Sequence, residues 1–156
     1  MLRHLICLLT CCLTIWPAAG GLSAQSRLST HELSINGFRN PSVGLEYRYR
    51  AVSAHAGYYL TNFESGTTWQ FVRCGVSLWF LPVGRREHPS SFYASLSYLR
   101  GLNRDYRGLN ALATEVGFRA MIWKGLQARI GVVALAAPDR PLRINPTPSL
   151  NYSFFF

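Results

Sequence analysis

From residue 31 onward the chain repeats one pattern: stretches of about ten residues in which apolar and polar side chains alternate, separated by turn-forming residues. Successive side chains of a strand point to opposite faces, so each stretch predicts a strand with one apolar and one polar face. Eight such strands are predicted, over 31–38, 42–50, 52–63, 68–81, 91–102, 111–123, 126–137 and 148–156. The second is the cleanest, with Val43, Leu45, Tyr47 and Tyr49 opposing Gly44, Glu46, Arg48 and Arg50. In the third, Val52, Ala54, Ala56, Tyr58 and Leu60 oppose Ser53, His55, Gly57 and Tyr59, and in the fourth, Val72, Cys74, Val76, Leu78 and Phe80 oppose Arg73, Gly75 and Ser77. The sixth sets Leu112, Val116, Phe118 and Ile122 against Glu115, Gly117 and Arg119, and the seventh sets Leu126, Ile130 and Val132 against Gln127, Arg129 and Gly131. The links at 50–52 and 123–125 are tight, 82–90 is longer, and 138–147 reads as a loop.

Eight alternating strands close in two ways. A soluble ligand-binding barrel turns its apolar face inward, whereas a membrane barrel turns it outward to lipid. Glycine weakens a strand and is placed where crowding requires it. Gly44, Gly57, Gly75, Gly117 and Gly131 all lie on the charged face, which suits the inside of a narrow barrel whose Arg and Glu side chains need room. The predicted fold is therefore all-β, an eight-stranded antiparallel transmembrane barrel. No later segment is apolar for the length a spanning helix needs.

The two ends add to this. Arg3 and His4 precede an apolar run from Leu5 to Trp16 and a small-residue region ending Leu22-Ser23-Ala24, the layout of a cleaved secretory signal peptide over 1–24. Residues 25–156 are then the barrel domain. In the last stretch Leu150, Tyr152, Phe154 and Phe156 share one face while Asn151, Ser153 and Phe155 share the other. With its leader, its alternation and this aromatic-ended strand, the chain resembles the small eight-stranded bacterial outer-membrane barrels, the OmpA membrane domain and OmpX-like proteins. The resemblance covers the mature chain but rests on generic motifs. It implies an outer-membrane location and a non-enzymatic structural, adhesive or envelope-maintenance role. It also implies that the barrel-assembly machinery reads the strand carrying Leu150, Tyr152, Phe154 and Phe156. The other activities it admits are a lipid A-modifying barrel enzyme and an accessory component of an export or conjugation assembly, the latter with other envelope proteins as partners.

Charge and cysteine narrow the chemistry. Only Arg3 of the 16 basic side chains lies in the leader, leaving 15 against 7 acidic ones, an excess of +8. The basic residues are scattered single arginines with one lysine, not the runs of a nucleic-acid surface. Outside the leader only Cys74 remains, which makes no internal disulfide and cannot alone hold a zinc ion. No cofactor or metal is implied. Glu32, Glu46 and Glu115 share the predicted lumen with Arg48, Arg73, Arg119 and Arg129, and a barrel this narrow favours a plug of paired charges over an ion pathway. Ser53, His55 and Glu46 suggest a nucleophile, base and orienting acid. Ser53 and His55, however, lie roughly 7 Å apart along one strand, beyond hydrogen-bond reach. Tyr49, Phe80, Phe92, Trp123 and Phe156 at one end, with Tyr58, Trp69 and Tyr98 at the other, read as interfacial girdles. The loop residues Arg39, Arg104, Arg107, Arg140 and Arg143 outnumber Glu64, Asp105 and Asp139, and two readings stand equal for them, pairing with lipopolysaccharide phosphates or simple solvation; outer-membrane lipid and lipopolysaccharide are the partners expected of the barrel.

Overall fold

The computed structural model describes residues 28–37, 43–64 and 67–156. The leader 1–24, Arg39 and the outer ends of the first two predicted strands at Phe38 and Ser42 lie outside the described residues. Nine strands form: β1 (His31–Asn36), β2 (Val43–Tyr49), β3 (Val52–Glu64), β4 (Thr67–Val83), β5 (Ser90–Gly101), β6 (Asn110–Trp123), β7 (Leu126–Ala136), β8 (Arg143–Pro146) and β9 (Ser149–Phe155). Each of β1 to β6 pairs antiparallel with the next, and β9 pairs with both β7 and β1, which closes the sheet.

The barrel has eight positions because β8 and β9 share the last one. β8 lies beside Val132–Leu135 and β9 beside Leu126–Arg129, both on β7. The sequence reading of 138–147 as a loop is corrected at this point, since Arg143–Pro146 is a strand. Pro146 and Pro148 lack the N–H a ladder uses, and they interrupt the strand without changing its parity. Thr147 keeps contact across the break, its N–H donating to the Gly131 carbonyl at 2.9 Å.

The faces follow the alternation. Along β2 every second residue is buried, with Gly44, Glu46 and Arg48 inside and Val43, Leu45 and Tyr47 outside. The outer surface is apolar from strand to strand, with Val43 67%, Val116 62% and Ile130 65% exposed. Trp69 departs from the girdle reading. It shares the inward parity of Phe71 and Arg73 and is buried against Tyr106, edge to face at a centroid distance of 6.4 Å.

Two tight turns lie at the end of the barrel that holds the described terminal residues: Arg50–Ala51 and Lys124–Gly125. Arg50, Lys124 and Gly125 all have positive φ, as two-residue hairpin turns require. The longer link after β4 packs against the ends of other strands. Arg86 Nη1 donates to the carbonyls of Met121 and Ile122 at 2.5 and 2.9 Å, and the His88 ring stacks on Phe155 at 3.6 Å between centroids. Leu28 is buried with Trp79 and Tyr93, so this end is filled by side chains.

At the opposite end Tyr106, from the link between β5 and β6, enters the barrel. It completes an apolar cluster with Tyr59, Trp69, Phe71, Leu99, Ala111, Ala113, Val133 and Leu135.

Candidate functional site

The seven charged residues assigned to the lumen from the sequence, Glu32, Glu46, Glu115, Arg48, Arg73, Arg119 and Arg129, all face inward and form four ion pairs. Strand parity selects the face, and sheet register decides who meets whom. Glu32 on β1 lies directly opposite Arg48 on β2, and accepts from its Nε at 2.9 Å and also from its Nη2. Arg119, on the far wall at β6, reaches the same carboxylate with Nη1 at 2.9 Å from both oxygens. Ser153 and Ser34 donate to Glu32 Oε1 at 2.6 and 3.2 Å. One carboxylate therefore holds two guanidiniums and two hydroxyls, the saturation that makes a buried ion tolerable.

Glu46 forms a second centre. Its Oε2 accepts from Arg129 Nη1 at 2.5 Å and its Oε1 from the Ser53 hydroxyl at 2.5 Å, while Ser53 Oγ accepts from Trp79 Nε1 at 2.8 Å. Arg119 and Arg129 are cross-strand partners, an arrangement of like charges that is unfavourable when the side chains stay opposite one another. Each is instead bound to a different glutamate, and both guanidiniums lie against the Trp79 ring, 4.6 and 4.8 Å from its centroid. The aromatic face adds cation–π attraction to both.

The third centre is Glu115, which accepts from Arg73 Nη2 at 2.7 Å, Tyr93 Oη at 2.7 Å and Thr147 Oγ1 at 2.9 Å. Tyr93 reaches it because the neighbouring wall is bare. Gly117 and Gly131 are directly paired, and a Cβ on either would stand 2.6 or 2.9 Å from Tyr93 Oη. These are two of the five glycines that the crowding argument placed on the inner face.

Between the second and third centres lies a cavity of about 20 Å³, lined by His55, Ser77 and Asn36 among others. It has room for about one water molecule. Ser53, His55 and Glu46 do not form a relay, because His55 bonds Ser97 Oγ through Nε2 at 3.0 Å and Ser77 Oγ through Nδ1 at 3.3 Å while Ser53 is held by Glu46 and Trp79. Among the described residues, no three His, Cys, Asp or Glu side chains gather as a metal site would need.

Sequence reasoning missed Trp79, Tyr93, Thr147, Ser34 and Ser153 as members of the network. The signal for Trp79 was present, since it continues the inward parity of Arg73, Gly75 and Ser77. Nothing local marks Thr147, whose inward aim follows from a strand that two prolines conceal. Leu150, Tyr152 and Phe154 stand on the outer face of β9, Phe156 beyond it is 73% exposed, and Phe155 points inward. Compared with known proteins, the chain matches no family model, no curated relative and no solved structure.

Proposed function

We propose that this protein is an integral barrel of the bacterial outer membrane, exported behind a cleaved leader, with a non-enzymatic structural, adhesive or envelope-maintenance role. One observation carries the proposal: a closed barrel whose outer wall is apolar along its middle, with the charged side chains either inside it or at its two rims. In water that arrangement exposes hydrophobic surface on every strand, whereas in a bilayer it satisfies the backbone through the closed ladder and the side chains through lipid.

The interior supports a sealed wall in preference to a pore. Ion pairs fill one half, the Tyr106 cluster fills the other, and the cavity between the Glu46 and Glu115 centres is water-sized. Opening an ion path would separate buried pairs, which costs several kcal/mol for each charge left alone.

Cell fractionation combined with gel migration before and after boiling tests this. Full-length protein expressed in a Gram-negative host should sediment with outer membranes, run at a different position unboiled, and give no stable conductance in planar bilayers. Recovery in the soluble periplasmic fraction would overturn the membrane reading, and steady channel currents would overturn the sealed interior.

A further inference from the structure

We propose that the end of the barrel opposite the described terminal residues carries a binding patch for the phosphate groups of an outer-leaflet glycolipid, built from Arg100, Arg104, Arg107 and Arg140. The inference rests on the outer-membrane reading and adds to it a ligand class and the residues that hold it.

Contacts around the 104–106 turn place the four arginines on one rim. Past Arg100 the chain makes a 3-10 turn at Arg104–Tyr106 and returns, with Gly101 N donating to the Leu109 carbonyl at 3.0 Å and Gly108 N to the Gly101 carbonyl at 2.9 Å. Arg100 Nη2 lies 3.9 Å from where a Cβ would stand on Gly108, the residue after Arg107. Arg107 N donates to the Arg104 carbonyl at 3.0 Å, which puts both side chains on one turn. Arg140 arrives from the link between β7 and β8. Its Nη2 donates to the Asp105 carbonyl at 2.9 Å, and its guanidinium lies 5.9 Å from the Tyr106 ring centroid. Tyr106, only 3% exposed, pins the turn into the barrel, so the patch is held before a ligand arrives.

The four guanidiniums lie on the surface, with Asp105 and Asp139 as acids beside them in the chain. Arg100 stands at the top of the outward stripe Phe92, Leu96 and Tyr98 on β5, and Leu102, Leu142 and Ile144 are exposed at the same end. Arginines on one rim above an apolar wall complement a phosphorylated lipid, whose acyl chains lie along the wall and whose phosphates sit at its edge. Arginine's planar fork suits phosphate oxygens better than a point charge does, and the shared anchoring favours a bound group over a merely hydrated surface.

The test uses the full-length folded protein in phosphatidylcholine vesicles and follows its unfolding temperature as ligand is added. The ligands are lipopolysaccharide, the same lipopolysaccharide chemically dephosphorylated, phosphatidylglycerol and inorganic phosphate. Phosphorylated lipopolysaccharide should stabilise wild type, and the other three should not. The combined substitution Arg104→Gln, Arg107→Gln and Arg140→Gln should weaken the half-saturating dependence about a hundredfold, near fivefold per arginine. The corresponding triple lysine variant should recover part of it. A control with Arg50→Gln, Arg85→Gln and Lys124→Gln removes the same charge at the other end and should behave as wild type. Equal loss in the control, an equal response to dephosphorylated material, or an equal response to phosphatidylglycerol or free phosphate would overturn the patch while leaving the barrel reading intact. Failure to enter vesicles at all would overturn both.

Discussion

The two halves of the barrel interior solve the same packing problem in opposite ways. Towards the described terminal residues, Glu32 and Glu46 bind Arg48, Arg119 and Arg129 through directional contacts, and the Glu115–Arg73 pair marks the boundary, where its cross-strand neighbours Val133 and Leu99 already belong to the apolar cluster. Towards the other end, Tyr59, Trp69, Phe71, Leu99, Tyr106, Val133 and Leu135 fill the space by shape. Alternation is the same in both halves, so alternation cannot be what distinguishes them. In the charged half each side chain depends on named partners, and loss of one leaves another buried and uncompensated. In the apolar half, loss of one leaves a void whose cost follows its volume. The first kind of interior fixes one arrangement of the strands, and the second seals the barrel with fewer geometric demands.

The largest expected effect breaks the charged half at its most shared point. Glu32→Leu strands Arg48 and Arg119 together and should destabilise the folded barrel by about 3–5 kcal/mol, read as the urea midpoint of the unboiled gel band. Adding Arg48→Met and Arg119→Met to that variant should recover most of the loss, because an apolar set of similar volume needs no partners. If the double arginine replacement gave no recovery, Glu32 would be acting through something other than charge pairing.

Tyr106→Ala attacks the apolar half and should cost about 3 kcal/mol by the same readout, the range for removing a large buried aromatic. It should leave bilayers non-conducting, because the ion pairs beyond remain closed. Appearance of current would show that the aromatic cap alone seals the barrel.

The charged side of this contrast was legible in the sequence and the apolar side was not, for physical reasons. Face parity is local, so Glu46 and Arg48 on β2, or Val116 and Glu115 on β6, could be assigned from spacing alone. Partner identity is not local. Glu32 and Arg119 are 87 residues apart and meet only because the barrel closes. β8 was hidden because four residues between Pro141 and Pro148 show neither length nor full hydrogen bonding. The apolar half was concealed differently. Trp69 carries the type and position of an interfacial residue, while its parity, shared with Phe71, places it inside. Tyr106 lies in a link with no periodicity to read.

The smallest expected effect concerns how the apolar half is closed. β1 and β2 are shorter than β3, and Asn145 on β8 donates from Nδ2 to Thr61 Oγ1 on β3 at 2.6 Å, joining two strands that do not pair. Asn145→Ala should cost about 1 kcal/mol, the usual worth of one such bond. A cost several times larger would mean that this bridge, and not aromatic packing, holds the upper wall together.

The most direct measurement places an environment-sensitive fluorophore on single cysteines at Val116, Ile130 and Asp139, in a background where Cys74 is replaced by serine, and adds lipids brominated on their acyl chains. Strong quenching at Val116 and Ile130 on the outer wall, with little at Asp139 in the loop, is the expected result. Absence of quenching at all three positions, in protein shown to be folded, would contradict an apolar face that meets lipid.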